Sequence, residues 1–180
     1  MSATCSRLLA ICLLFSLSAC HLLEVSNNNN SNASSGSATA TASAYIERFK
    51  PIAIAEMKRT GVPASIKMAQ AILESGYGRS ELAKKANNHF GIKCGSNWNG
   101  KTYKLKASCF RAYSSAEESF KQHSDFLRNG SRYADLFKLK TTDYKGWAKG
   151  LRKAGYATSS SYPSKLIELI ERYRLHQYDQ

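Results

Sequence analysis

Beyond residue 44, apolar positions recur along the chain at helical spacing. Between Tyr45 and Arg59 the apolar residues are Ile46, Phe49, Ala53, Ile54 and Met57, a period near 3.6, and Gly61 supplies a stop. Pro63 suits a first-turn position, and behind it Ile66, Ala69, Ile72 and Leu73 form the stripe of a second helix. Ser115 and Glu118 make a capping box ahead of Phe120, His123, Phe126 and Leu127. A further segment starts at Thr142, runs through Trp147 and Leu151, and is closed by Gly155; the last starts at Pro163 and carries Leu166, Ile167, Leu169, Ile170 and Tyr173. Five or six helices are predicted, with no internal repeat. One region departs from this period. Asn99-Gly100 is a hairpin-turn signal, and Thr102 to Ala107 alternates with period two. The fold class predicted is α+β, mostly α: a helical domain carrying a small β-hairpin lobe.

The N-terminal pattern is of another kind. Leu8 to Ala19 is an apolar run of about a dozen positions behind Arg7, the length of an export signal's centre and short for a membrane span. It ends in Leu17-Ser18-Ala19-Cys20, which resembles the lipobox of bacterial lipoproteins and implies lipidation of Cys20. The segment from Ser26 to Ser43 holds only Ser, Asn, Ala, Gly and Thr, so it has nothing to bury against the cost of ordering. It is expected to be a flexible tether with a reach on the order of 25–30 Å. The expected organisation is a signal peptide over 1–19, a lipidated Cys and tether over 20–44, and a globular domain over 45–180. The expected location is the cell envelope, on a bacterial membrane. His21, where a retention Asp would sit in enterobacteria, points to the outer one.

Composition sharpens this picture. The chain has 180 residues, 26 Lys+Arg against 13 Asp+Glu, and a formal net charge of +13. Residues 1–44 contain one Arg and one Glu, so the whole excess belongs to the globular part. Basic domains meet nucleic acid, anionic membranes or acidic polymers; export disfavours nucleic acid. Of the five cysteines, Cys5 and Cys12 leave with the signal and Cys20 carries lipid. Cys94 and Cys109 remain in an oxidising compartment, and a disulfide between them would contribute very roughly 3 kcal/mol. Two free thiols are the alternative. Two Cys without paired ligands make a poor zinc set, and neither a metal nor a cofactor is expected.

Candidate chemistry concentrates in Met68-Ala69-Gln70-Ala71-Ile72-Leu73-Glu74-Ser75-Gly76-Tyr77-Gly78. Glu74 closes an apolar helical run, directly before two glycines that should end the helix. A carboxylate in the last turn faces the negative end of the helix dipole, and apolar neighbours also disfavour its charge. Both effects favour the protonated form that a general acid needs.

The ordered set AQAILESGYGRSELA, Asn88-His89-Phe90-Gly91-Ile92-Lys93, and Ala154-Gly155-Tyr156-Ala157-Thr158 with Tyr162 resembles the peptidoglycan N-acetylglucosaminidases of glycoside hydrolase family 73, over about residues 48–175. The resemblance implies a lysozyme-like fold with a groove between a helical body and a β-lobe. It also implies endo-cleavage of peptidoglycan glycan strands at the N-acetylglucosaminyl β-1,4 bond. By position, Glu74 matches the general acid and Tyr156 a catalytic aromatic. Tyr162, Asn88, Phe90, Gly91 and Tyr77 match substrate-binding positions. His89 and His123 receive no catalytic role.

One departure matters. Members often carry a second acid on the β-lobe, yet Gly91 to Ser115 contains no Asp or Glu; Lys93, Lys101, Lys104, Lys106 and Arg111 stand there instead. An inverting carboxyl pair is unsupported. Assistance by the substrate's 2-acetamido group, or Glu74 acting alone, is preferred. A non-catalytic wall-binding or scaffolding lipoprotein and a lytic transglycosylase are the competing classes. The expected partners are peptidoglycan strands and, through the lipid, a membrane; the expected state is monomeric.

Overall fold

A computed structural model describes residues 29–180, with side chains described from Thr41 onwards. The chain divides into two units, Met1–Ala40 and Thr41–Gln180. The signal segment and Cys20 lie outside the described residues. Among the described residues there are six helices: α1 (Asn29–Thr60), α2 (Ala64–Ser75), α3 (Glu81–Ala86), α4 (Ala116–Asn129), α5 (Tyr144–Lys153) and α6 (Tyr162–Arg172). Two 3₁₀ segments, Ser131–Lys138 and Leu175–Tyr178, follow α4 and α6. Two strands, β1 (Thr102–Leu105) and β2 (Ser108–Arg111), pair antiparallel between α3 and α4. No described helix is long and apolar enough to cross a membrane.

α2 is the centre of the body. Ten of its twelve residues are buried, Ala64 through Ile72 and Ser75, so the stripe expected from the sequence is a helix buried on every side. It packs against α5, α6 and the final 3₁₀ segment. Its N-terminus has Pro63 at the cap, which offers no side-chain acceptor. Asp179 supplies one from the far end of the chain: its carboxylate accepts from the Ser65 N–H at 2.8 Å and the Ser65 hydroxyl at 2.6 Å. An anion there also meets the positive end of the helix dipole.

α1 begins at Asn29, inside the segment read as a tether, and Ala42 is fully buried. Residues 29–43 contain no proline, and adding turns to an existing helix needs no new nucleus. α1 also accommodates Pro51 in its interior, where the ring removes one ladder donor. One sequence expectation is corrected: the hairpin turn falls at Lys106-Ala107, since Leu105 pairs with Ser108; Lys106 takes φ +53°. Asn99-Gly100 instead leads into β1. A Cβ at Gly100 would lie 2.4 Å from the Trp98 ring, so this glycine serves a close approach.

β2 is the middle of a small three-segment lobe. Cys94 N–H bonds to the Cys109 carbonyl, Arg111 N–H to the Ile92 carbonyl, and Lys93 bridges to Phe110. The Cys94–Cys109 disulfide, with Cα atoms 5.5 Å apart, closes this edge.

Candidate active site

Glu74 stands on the last turn of α2, where the helix is terminated abruptly. Gly76, Tyr77 and Gly78 all take positive φ, +56°, +60° and +75°. For Tyr77 that conformation costs on the order of 1 kcal/mol. At Gly78 a Cβ would come within 3.1 Å of the Tyr45 ring. Ser75 locks the loop: its hydroxyl donates to the Ala71 carbonyl at 2.5 Å and accepts from Gly78 N–H at 2.7 Å. Behind it the Tyr45 hydroxyl and His89 Nδ1 are 2.7 Å apart, in a buried pair.

Glu74 itself is exposed, yet its carboxyl is crowded by protein. Burial raises its pKa, and hydrogen bonding from the Tyr162 hydroxyl opposes the rise without cancelling it. Water thus reaches one side of the residue while protein crowds the other. Two cavities in the described residues lie elsewhere. One of about 280 Å³ is lined by Arg132, Leu136 and Lys153, and one of about 570 Å³ by Arg48, Lys84 and Tyr45; Glu74 lines neither.

Tyrosines surround the acid. Tyr162 is buried, and its hydroxyl accepts from Gln70 Nε2 at 3.0 Å. Tyr156 stacks on it with ring centroids 5.9 Å apart and contacts Tyr133 at 6.3 Å. Burial holds both hydroxyls protonated, and the Glu74 charge pushes them further in that direction. α2, the turn after α5 and the start of α6 thus bring Glu74, Tyr156 and Tyr162 together across more than eighty residues of sequence.

No second carboxylate joins them in these contacts. Glu81 accepts from the Tyr103 hydroxyl at 2.7 Å and pairs with Lys85. The Glu118 N–H bonds to Ser115 Oγ at 3.1 Å, one half of the expected capping box, while its carboxylate accepts from Ser114 N–H at 2.8 Å, one residue before the cap. Glu117 is exposed on α4 and feels Arg48 and His89. A single crowded carboxyl with buried phenols above it is equipped to hand over one proton and then accept one.

Comparison with known proteins decides the lineage. Residues 50–175 match the glucosaminidase family model, described as mannosyl-glycoprotein endo-beta-N-acetylglucosaminidase. The chain belongs to the glucosaminidase family. Among its relatives, exo-glucosaminidase LytG of Bacillus subtilis is 40% identical over 134 residues, covering 64% of this chain and 46% of LytG. The catalytic domain of the Listeria monocytogenes autolysin Auto superposes with TM-score 0.67 at 32% identity, covering 77% of this chain and 87% of that one. A peptidoglycan hydrolase from Sphingomonas sp. A1 gives TM-score 0.66 at 37% identity, covering 75% and 91%. The chain spans less than half the length of the curated relatives LytG and FlgJ of Pseudomonas aeruginosa. Family membership carries the hydrolase class and the lysozyme-like arrangement of helical body and small sheet.

Within this glucosaminidase fold, several site residues read from the sequence take other places. Asn88 is buried, and its amide is consumed by the scaffold: Nδ2 donates to the carbonyls of Ile92 and Arg111, and Oδ1 accepts from the N–H groups of Phe90 and Ile92. It fastens the β-lobe and leaves nothing for a sugar. Phe90 is core, stacked on His123 at 3.9 Å and edge-on to Phe120 at 4.9 Å. Gly91 takes φ +63° as a turn. The Tyr77 hydroxyl pairs with that of Tyr173 at 2.9 Å, and its ring meets Tyr45 and Tyr173 rather than Tyr156 or Tyr162. The sequence reading missed Tyr133 and Tyr113, whose charges Tyr156 feels. Both are buried, and nothing local in the sequence marks them.

Proposed function

We propose that this glucosaminidase domain cleaves peptidoglycan glycan strands at the N-acetylglucosaminyl β-1,4 bond, with Glu74 as general acid. The observation that carries the reading is one crowded carboxyl, its pKa raised, hydrogen-bonded by Tyr162 at the end of the helix that forms the fold's centre. Glu74 protonates the glycosidic oxygen as the bond breaks, and the phenols of Tyr156 and Tyr162 line the side from which charge develops. With no other carboxylate in the tyrosine cluster, the substrate's 2-acetamido oxygen takes the place of a protein nucleophile, and Glu74 then deprotonates the incoming water. The fragment names of the relatives, an exo-glucosaminidase and peptidoglycan hydrolases, support this substrate class. Acylation at Cys20 would hold the domain beside the wall it cuts; metabolic labelling with a palmitate analogue, lost in Cys20→Ser, tests that part.

Reducing-end analysis of digested sacculi tests the whole. New N-acetylglucosamine reducing ends with retained configuration are expected, and Glu74→Gln should abolish them, a loss of at least about 10²-fold, while binding to sacculi persists. Clean inversion means a base from elsewhere. 1,6-Anhydromuramic ends would mean transglycosylation, and no ends at all a wall-binding module.

A further inference from the structure

Buried polar groups in native proteins are almost always hydrogen-bonded, so a cluster of unpaired ones marks a place where something else binds. Among the described residues, the buried side-chain atoms without a partner include Arg111 Nε, the hydroxyls of Tyr113 and Tyr156, and His123 Nε2. These four are neighbours. The Arg111 guanidinium lies 4.5 Å from the Trp98 ring centroid and 5.9 Å from that of Phe126. Phe126 meets Tyr156 at 6.4 Å, Tyr156 meets His123 at 5.9 Å, and Trp98 meets Tyr113 at 5.9 Å. Arg111 also lies beside the Tyr113 hydroxyl: burial pushes that hydroxyl's pKa up to about 12, against the opposing charge of Arg111, and the hydroxyl reaches no hydrogen-bond geometry.

All four groups can donate. Arg111 offers only N–H, and both phenols carry O–H. His123 Nε2 is the donor in the tautomer whose Nδ1 accepts from Lys67 Nζ, 3.1 Å away. A ligand that suits them is therefore acceptor-rich. The cation narrows it further. Arg111 belongs to no ion pair of the described residues, and its own lobe contains no acid. A guanidinium over an indole face keeps its N–H fork for a planar anion such as a carboxylate. The cluster is contiguous with the acid through Tyr156, which feels both Glu74 and Tyr113.

We propose that Arg111 and Tyr113, backed by Trp98, form a carboxylate-binding subsite on the β-lobe side of the groove, recognising an anionic substituent of the glycan strand next to the bond that is cut. The inference rests on the glucosaminidase reading above. This lobe carries a cation and no acid between Gly91 and Ser115, which favours strands that carry negative charge. In peptidoglycan that charge has two sources: the lactyl carboxylate of peptide-free strands and the carboxylates of stem peptides.

The experiment measures dissociation constants by calorimetry in a Glu74→Gln background, which binds without cutting. Three probes are compared: peptide-bearing glycan fragments, peptide-free fragments with bare lactyl groups, and uncharged N-acetylglucosamine oligomers. Adding Arg111→Gln should weaken the anionic probes by about tenfold more than the neutral one, the scale of a charge-assisted hydrogen bond. Loss confined to peptide-bearing fragments assigns the stem-peptide carboxylates, loss confined to peptide-free fragments assigns the lactyl carboxylate, and loss on both means that the subsite takes either carboxylate. Tyr113→Phe keeps the ring against Trp98 and should give a smaller loss of the same selectivity. Equal weakening on all three probes, or a parent protein with no preference for anionic strands, overturns the proposal. Because binding is read without turnover, a wild-type protein that cuts nothing would sink the hydrolytic reading and leave this comparison intact.

Discussion

Glu74 sits where three influences meet: the carbonyl end of α2, the crowding of its carboxyl, and one phenol donating to it. The first two favour its proton and the third its charge, with burial the largest. A folded pKa above the free value of 4.5 means that the acid form persists toward neutral pH. The rate should then fall as pH rises through that raised pKa. Plots of kcat/KM against pH on soluble glycan should show a descending limb above 4.5, and a limb at the free value would remove the physical basis for the assignment. Lys67 is the opposite case. It is fully buried, bonded to the Phe120 carbonyl and His123 Nδ1 at 3.1 Å each, with Glu56, Arg59 and Asp125 as the charges nearby. Burial lowers its pKa from 10.5 to about 7. Between those values the unfolded chain binds a proton that the folded one does not, so stability rises with pH across that window. His123, also held neutral by burial, adds destabilisation below pH 6.5. Melting temperatures at pH 7 and pH 9 should therefore rise in the parent by more than in Lys67→Met, whose midpoint should change less.

At the scale of elements, α2 depends on both of its ends. Ser75, Gly76 and Gly78 close one; Asp179 closes the other in place of the cap that Pro63 cannot provide. Asp179→Ala should cost about 1–2 kcal/mol in urea unfolding, the value of a lost N-cap, although the residue lies 114 positions from its partner. A cost near zero would mean that water replaces the carboxylate fully. The β-lobe is held by different means, with the Asn88 amide on one side and the Cys94–Cys109 disulfide on the other. Trp98, Arg111 and Tyr113 lie in and beside a two-stranded sheet too small to be stable alone.

At the scale of the molecule, the +13 charge has a direction. Lys93, Lys101, Lys104 and Lys106 are exposed on the lobe, where no acid offsets them. Attraction to the carboxylates of a cell wall should be screened by salt. Binding of Glu74→Gln to purified sacculi should weaken steadily between low and high ionic strength, with a shallower dependence in a variant whose four lobe lysines are replaced by Gln. Equal slopes would place the contact elsewhere. Helices α2, α4, α5 and α6, the capping box, the cysteine pair and the acid at a helix end were all legible in the chain, because each follows from local spacing: a period of 3.6, a cap three residues away, a glycine after the last turn. The position of the hairpin turn was not, since the bulk of Trp98 over Gly100 outweighs the local preference of Asn-Gly. Nor was the use of the Asn88–Gly91 motif as scaffold and core. Whether an amide meets a sugar or four backbone groups depends on which segments fold back over it. The tyrosine cluster and the unpaired donors around Arg111 exist only once α2, β2, α4 and the turn after α5 converge. Side-chain chemistry is written in the sequence, but burial, which shifts a proton or leaves a donor waiting, is a property of neighbours far away along the chain.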